Sequence, residues 1–169
     1  IHHAGRALGM VVFEEAKLED LETMRNTNGH GLLYVSRAVI PFMSTGGKGH
    51  IINMGSVDAK EVYEKGNAYC ASKFAVEAIN RSMRIDLLKN NIKVTGIHPG
   101  AVETEFSIVR FKGDDKTAQS SYDGLTPLTA GDIADTVYYC TNLPGHVCIN
   151  DLVITCTQQA GTYYFNRKG

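Results

Sequence analysis

Three short apolar runs, each separated from the next by a long segment, constrain the fold of this chain more than any other feature. The runs cover residues 50–54, 92–97 and 152–155, and they are rich in isoleucine and valine. The first two are separated by a helical pattern, and all the connections are too long for hairpins, so the strands are expected to run parallel. Parallel strands joined through helices are typical of α/β proteins. The sequence therefore predicts an α/β fold with a parallel sheet.

Two long helices are predicted from apolar residues that recur at spacings of three and four. The first covers residues 17–43 and the second residues 67–88. Poor helix formers and a glycine at residues 26–29 weaken the first helix in its middle, which predicts a kink there. Residues 104–125 are expected to be irregular or partly helical. Thr129 is expected to cap a further helix.

The sheet predicted from these runs is smaller than a doubly wound sheet normally is. A dinucleotide-binding sheet has six or more strands and a glycine-rich first turn, and this sequence contains no G-x-G-x-x-G. Residues 1–5 have the character of the end of a strand. We therefore expect the C-terminal portion of a Rossmann-type doubly wound parallel sheet, with the first βαβ units absent. Residues 1–169 are expected to form a single domain, the catalytic and substrate-side part of such a fold.

Composition excludes several classes of function. A formal net charge of −1, with acidic and basic residues interspersed, gives no basis for nucleic-acid binding. No apolar run is long enough to span a bilayer, and no signal peptide is recognisable. We therefore expect a cytoplasmic protein that does not associate with membranes. The four cysteines lack the spacing of a disulfide framework or a zinc site. His2 and His3 have no second ligand cluster, so no metal is expected.

Tyr69 and Lys73 are the residues whose spacing points most directly to chemistry. Four residues apart on a helix, they share one face, so the ammonium can lie near the phenol oxygen and favour the phenolate. An unperturbed phenol has a pKa of about 10 and needs such help to act near neutrality. Ser56 lies 13 residues upstream at the end of a predicted strand. Together the three residues indicate a site for hydride transfer.

This combination resembles the catalytic tetrad of the short-chain dehydrogenases/reductases. Asn28 lies in the upstream helix as in that family, and residues 99–104 (Pro-Gly-Ala-Val-Glu-Thr) resemble its P-G-x-x-x-T turn. Residues 2–5 (His-His-Ala-Gly) stand where the family has N-N-A-G, which is the main local departure. A Tyr-x-x-x-Lys motif alone is weak evidence for the family, because any helix can contain it. Its combination with Ser56, Asn28 and the Pro99-Gly100 turn is specific.

The resemblance implies a role for each matching residue. Tyr69 is the acid/base, Ser56 holds the substrate oxygen, Lys73 lowers the tyrosine pKa and binds the nicotinamide ribose, and Asn28 orders a water that connects Lys73 to solvent. The cofactor-binding residues implied are Ala4, Gly5, Tyr69, Lys73, Pro99, Gly100, Val102 and Thr104. The substrate-binding residues implied are Ser56, Tyr69 and Arg110.

A narrower resemblance is carried by residues 6–9, 49–53 and 103–114, which are similar to the NADP-dependent 3-hydroxy acid dehydrogenases, including serine and allo-threonine dehydrogenases. It implies NADP as cofactor, although NAD is not excluded. It also implies a small hydroxy acid or alcohol as substrate, and a homo-oligomer, either a dimer or a homotetramer. The alternative is a catalytically silent fragment or pseudoenzyme that acts only through subunit association.

Each of these residues also has a purely structural interpretation. Tyr69 and Lys73 suit any amphipathic helix, Ser56 a turn, and Asn28 a helix irregularity. Other residues have equally simple roles. Pro99 and Gly100 form a turn in any case, Thr104 is a possible helix cap, and Arg110 and Lys112 are possible solvated surface residues.

Overall fold

A parallel sheet lies at the centre of the structure, a computed structural model that describes residues 1–168. Within those residues the sheet has three strands in the order β1-β2-β3, and both neighbouring pairs are parallel. The strands are β1 (Gly49–Met54), β2 (Ile92–Pro99) and β3 (Asp151–Ile154). The predicted α/β class is confirmed, and each predicted strand lies within two residues of its observed bounds.

The opening residues run along the outer edge of β1. His2 forms a parallel bridge with Asn53; its N–H donates to the Ile52 carbonyl at 2.7 Å, and its own carbonyl accepts from Met54 N at 3.1 Å. A short extended segment therefore continues the sheet beyond β1, as the opening residues predict. Because this segment is parallel to β1, Ala4 and Gly5 lie at the same edge of the sheet as the end of β1.

Residues 1–168 contain six α-helices. They are α1 (Leu18–Met24), α2 (Gly31–Thr45), α3 (Asn67–Asp86), α4 (Phe106–Arg110), α5 (Asp115–Ser120) and α6 (Ala130–Thr141). A π-helical turn at Arg25–His30 joins α1 to α2, where the sequence predicts a kink. Thr129 caps α6 through a capping box with Asp132, as predicted.

Both faces of the sheet are covered by helices. Ile51 and Val94 pack with Leu32 and Val76, which α2 and α3 supply, on one face. Ile52 and Ile97 pack with Cys140 of α6 on the other. Adjacent strand residues therefore point into different cores, which explains why the neighbouring β1 residues Ile51 and Ile52 are both apolar. Within residues 1–168, none of the helices is both long and apolar enough to cross a membrane.

Candidate active site

The carboxyl ends of the parallel strands meet at one edge of the sheet and carry the predicted site residues. After β1 ends, Gly55 N donates to the Ile97 carbonyl of β2 at 2.7 Å and Ser56 follows. After β2 ends, Gly100 N donates to the Ile154 carbonyl of β3 at 2.8 Å. In open parallel sheets this is the edge at which ligands bind.

Tyr69 lies on the first turn of α3 and is buried, with 7% of its surface exposed. Its ring packs against Phe106 at a centroid separation of 5.7 Å. Burial raises the Tyr69 pKa above its usual value, and the Asp58 carboxylate raises it further. The Ser56 hydroxyl, as a hydrogen-bonding neighbour, and the Arg110 cation oppose that rise. Ser56 and Tyr69 therefore face each other, as the sequence predicts.

The direction of the Tyr69 pKa shift differs from the sequence-based expectation. Helical spacing predicts that Lys73 lowers it, and the Lys73 Nζ does lie 5.8 Å from the Tyr69 ring centroid. Desolvation of a phenolate inside the protein outweighs this proximity, so the net pKa shift is upward. At neutral pH Tyr69 consequently holds its proton, which is the form that can donate to a carbonyl oxygen.

Lys73 is a buried cation with spare hydrogen-bond donors. Its Nζ donates to the Met54 carbonyl at the end of β1 at 3.0 Å, and an ammonium has two further N–H groups. Burial lowers its pKa to about 8, while the Asp58 carboxylate opposes the shift. A Cβ built on Gly5 would lie 3.5 Å from the Lys73 Nζ. The absence of a side chain at Gly5 keeps the space beside Lys73 open.

Asn28 lies in the π-helical turn and is buried, with all three of its side-chain bonds made to protein groups. Its Oδ1 accepts from Arg6 N at 2.9 Å, and its Nδ2 donates to the Arg6 carbonyl at 2.9 Å and to the Ser72 hydroxyl at 2.8 Å. Ser72 in turn donates to the Tyr69 carbonyl at 2.8 Å. The Asn28 side chain therefore fixes the opening segment against α3.

The remaining predicted cofactor residues follow β2 and are held by other parts of the chain. Gln159 Oε1 accepts from Ala101 N at 2.8 Å, and a Cβ on Gly100 would overlap that oxygen, so only glycine fits there. Val102 forms a parallel bridge with Leu128. The Thr104 hydroxyl accepts from Phe106 N at 3.3 Å, so it binds the backbone just before α4, whose N-cap position is held by Glu105.

Arg110 lies over the rings of two tyrosines. Its guanidinium carbon is 5.4 Å from the Tyr63 centroid and 5.5 Å from the Tyr69 centroid. It donates from Nε to the Gly9 carbonyl at 3.3 Å and from Nη2 to the Tyr63 hydroxyl. By contrast, Lys112 is exposed and paired with Asp20, with 2.8 Å between Nζ and Oδ2. The structure therefore brings Arg110, rather than Lys112, to Tyr69.

Two residues beside Tyr69 are missed by the sequence argument, namely Asp58 and Tyr63. Asp58 comes two residues after Ser56, just beyond the end of a buried strand. A carboxylate at that position in the sequence could have identified it as a site residue. Tyr63 has no signal of this kind, because it reaches the site only through the loop that follows.

A second cluster of titratable groups lies between α3, β2 and β3. The His98 Nε2 is 2.6 Å from Asp151 Oδ1 and 3.2 Å from Glu77 Oε2, and three such ligand types could in principle hold a metal ion. Lys60 already pairs with both carboxylates, at 3.0 Å from Glu77 and 2.7 Å from Asp151. Since Arg81 also pairs with Glu77, the two negative charges are already balanced. The contacts are those of an ion-pair network whose inner members, Glu77 and His98, are buried.

The free energy of unfolding is expected to fall as the pH is lowered from 7.5 to 5.5. Burial lowers the pKa of His98, His50 and His2 below the usual 6.5. The unfolded chain therefore takes up protons that the folded chain resists, and stability is lost as the pH falls below about 6.5. Urea unfolding at several pH values measures this. A His98→Gln variant should show a shallower pH dependence, and an unchanged slope would contradict the assignment.

Comparisons with known proteins agree with this geometry. Residues 1–115 match the sequence profile of the family described as short chain dehydrogenase. The chain is 46% identical over 151 residues to an NADP-dependent 3-hydroxy acid dehydrogenase of Salmonella typhi, covering 89% of this chain and 61% of that protein. It is 42% identical over 154 residues to an uncharacterized oxidoreductase of Mycobacterium tuberculosis, covering 91% and 61% respectively.

Solved structures give the same result. A closed form of serine dehydrogenase complexed with NADP+ superposes with a TM-score of 0.93 at 42% identity, covering 99% of this chain and 68% of that one. Serine dehydrogenase from Escherichia coli superposes with a TM-score of 0.78 at 36% identity, covering 94% and 63%. The chain spans about three fifths of the length of the curated relatives it matches.

Proposed function

Because this chain belongs to the short-chain dehydrogenase family, we propose that it is an NADP-dependent oxidoreductase that acts on a 3-hydroxy acid such as serine or allo-threonine. The observation that carries the proposal is the convergence of Ser56, Tyr69 and Lys73 at the carboxyl ends of the parallel strands. The names of the relatives support NADP and the hydroxy-acid substrate. Residues 1–169 would form the catalytic and substrate-side part of this enzyme.

The residues present fit the nicotinamide half of the cofactor. The buried Lys73 ammonium has donors left over after its bond to the Met54 carbonyl, and ribose hydroxyls are suitable acceptors. Gly5 has no side chain to fill the space in front of Lys73. Lys73 and Tyr69 would hold the ribose, with Ala4, Gly5 and the turn of residues 99–104 beside them. When bound, NADP accepts or returns the hydride.

The proposed mechanism assigns the proton to Tyr69. In reduction the phenol donates its proton to the carbonyl oxygen of the substrate, and in oxidation the phenolate removes the proton of the alcohol. The Ser56 hydroxyl hydrogen-bonds the same oxygen and positions it without ionising. The Lys73 ammonium stabilises the phenolate when it forms. Asn28 holds the opening segment against α3 and so keeps Lys73 and Gly5 in place.

Arg110 is proposed to bind the carboxylate of the substrate. It lies directly over the Tyr69 ring, and a guanidinium matches a carboxylate in charge and in geometry. A 3-hydroxy acid has its carboxylate two carbons from the reacting carbon. A cation beside Tyr69 can therefore hold that carboxylate while the hydroxyl faces Ser56 and Tyr69.

The first test measures turnover. The enzyme expressed from its complete coding sequence is expected to reduce NADP with L-serine, L-allo-threonine or 3-hydroxybutyrate, followed by the absorbance of the reduced cofactor. The same assays with NAD establish the cofactor preference. A folded protein that binds NADP but oxidises none of these substrates would contradict the proposal. A stable oligomer that binds no NADP would instead support the silent alternative.

We also propose a homo-oligomer located in the cytoplasm. Large apolar side chains on α2 are exposed, with Tyr34 at 71% and Phe42 at 81%, and a second copy of the chain would cover them. All four cysteines are unpaired thiols, which suits a reducing compartment.

A further inference from the structure

The short turn that carries Ser56 is held at both of its ends by residues that the proposed mechanism does not use. Within the turn, Ala59 N donates to the Ser56 carbonyl at 3.0 Å, and Lys60 N donates to the Val57 carbonyl at 2.9 Å. The Asp58 N–H donates to the Ser56 hydroxyl oxygen at 3.1 Å. Because that oxygen accepts from the turn, its own proton stays free for a bond to another oxygen. The position of the reacting hydroxyl therefore depends on the position of this turn.

His98 holds the start of the turn. It lies on β2 with 1% of its surface exposed, and its Nδ1 is 3.3 Å from the Ser56 carbonyl oxygen. Since a carbonyl oxygen can only accept, this bond requires a proton on Nδ1. A Cβ built on Gly55 would overlap the imidazole ring, and a Cβ on Gly96 would lie 2.8 Å from its Nε2. The ring therefore occupies space that side chains at these two glycines would fill, against the backbone just before Ser56.

Lys60 holds the end of the turn through the same group of side chains. Its Nζ is 3.0 Å from Glu77 Oε1 and 2.7 Å from Asp151 Oδ2. The second oxygens of these two carboxylates lie 3.2 Å and 2.6 Å from His98 Nε2. Glu77 belongs to α3 and Asp151 begins β3, so both lie outside the turn. His98 and Lys60 therefore connect the two ends of the turn to one cluster, which is built on a helix and two strands.

We propose that His98 and Lys60 are positioning residues, which place the Ser56 hydroxyl against the substrate oxygen by holding the turn of residues 56–60 at both ends. This inference rests on the proposed function, in which Ser56 bonds the reacting oxygen. A reacting group must be held within about 0.5 Å of its productive position, and hydrogen bonds from the surrounding residues provide that precision. The His98 bond to the Ser56 carbonyl and the Lys60 ion pairs supply such support from two sides.

Kinetics of the complete enzyme test the role of His98, with the hydroxy acid that the wild type oxidises. His98→Leu removes the donor to the Ser56 carbonyl and is expected to lower kcat/KM roughly 10- to 100-fold, because a misplacement of about 1 Å costs up to about 10²-fold. His98→Asn should retain most of the rate, since its amide nitrogen is bonded to Cγ as Nδ1 is. NADP affinity should stay unchanged, because the Met54 carbonyl holds Lys73. The exposed His146→Leu is the matched control, with kcat/KM unchanged.

Hydrogen–deuterium exchange examines the same turn without turnover and so separates this inference from the proposed function. His98→Leu and Lys60→Met are each expected to speed exchange of the amides of residues 58–60 by roughly 5- to 10-fold, the effect of one lost hydrogen bond. Exchange in the interior of β2 should stay as slow as in the wild type.

Two results would overturn the inference: exchange at residues 58–60 that neither variant changes, or a His98→Asn enzyme as slow in turnover as His98→Leu. Lys60→Met, at a side chain that is 24% exposed, keeps the exchange test available if His98→Leu does not fold. Absence of turnover in the wild-type enzyme would contradict the proposed function alone.

Discussion

Tyr69→Phe is expected to lower kcat by roughly 10³-fold while the protein stays folded. The substitution removes the hydroxyl that carries the proton and nothing else. The ring keeps its contact with Phe106 and with the Arg110 guanidinium, so packing around α3 is preserved. Steady-state turnover with NADP and L-serine measures the loss, and thermal unfolding measures stability.

The control for this variant is Tyr138→Phe, which removes the same atom from an exposed ring on α6. It is expected to leave turnover unchanged. A Tyr69→Phe enzyme that retains more than about a tenth of the wild-type kcat would show that another group carries the proton. Since general acid–base catalysis contributes about 10²- to 10⁴-fold, a tenfold loss is too small for that role.

The fold was predictable because its signals are local. Apolar runs bounded by glycine marked β1 and β2, and apolar spacings marked α3, which begins at Asn67 as predicted. The π-helical turn was foreseen only as a kink, since weak helix formers show where a helix is strained but not which hydrogen bonds replace the regular ones. The residues after β2 were assigned only in outline, because α4 and α5 are short and depend on tertiary contacts.

The positions of the site residues were predictable where they depend only on local spacing. A separation of four residues on a helix places Lys73 on the same face as Tyr69, and the end of a strand places Ser56 near both. The sign of the Tyr69 pKa shift was not predictable, because it depends on how deeply the phenol is buried. The position of Arg110 over two rings depends on the fold of α4 against the opening segment, across about a hundred residues of sequence.

The ion-pair network around His98 shows the same limit. Its members come from α3, β2, β3 and the loop after β1, so no spacing in the sequence connects them. His98 also approaches the Ser56 carbonyl, with 3.3 Å between Nδ1 and the oxygen. Only the register of the parallel strands brings this histidine to the backbone of the predicted site residue.

Lys73→Met is the second substitution with a large expected effect, and it should separate activity from stability. Methionine keeps an unbranched apolar stem in the same space but removes the charge and the donors. Without the ammonium, the Tyr69 phenolate loses a stabilising positive charge and the ribose loses a hydrogen-bond donor. We therefore expect kcat to fall roughly 10²- to 10³-fold. The exposed Lys48→Met is the matched control and should leave turnover unchanged.

The stability of Lys73→Met is expected to move in the opposite direction. Burial lowers the Lys73 pKa from 10.5 to about 8, so at pH 7 the fold carries a desolvated charge that costs about 3 kcal/mol. The lost bond to the Met54 carbonyl offsets about 1–2 kcal/mol of this, which leaves a net gain of about 1–2 kcal/mol in the free energy of unfolding. The folded pKa lies below the unfolded one, so the cost is complete below pH 8 and disappears towards pH 10.5. The difference between variant and wild type should therefore shrink over that range in urea unfolding. A variant that is less stable than wild type at pH 7 would contradict this prediction, as would a stability difference that is independent of pH. Either result would show that the buried ammonium stabilises the fold.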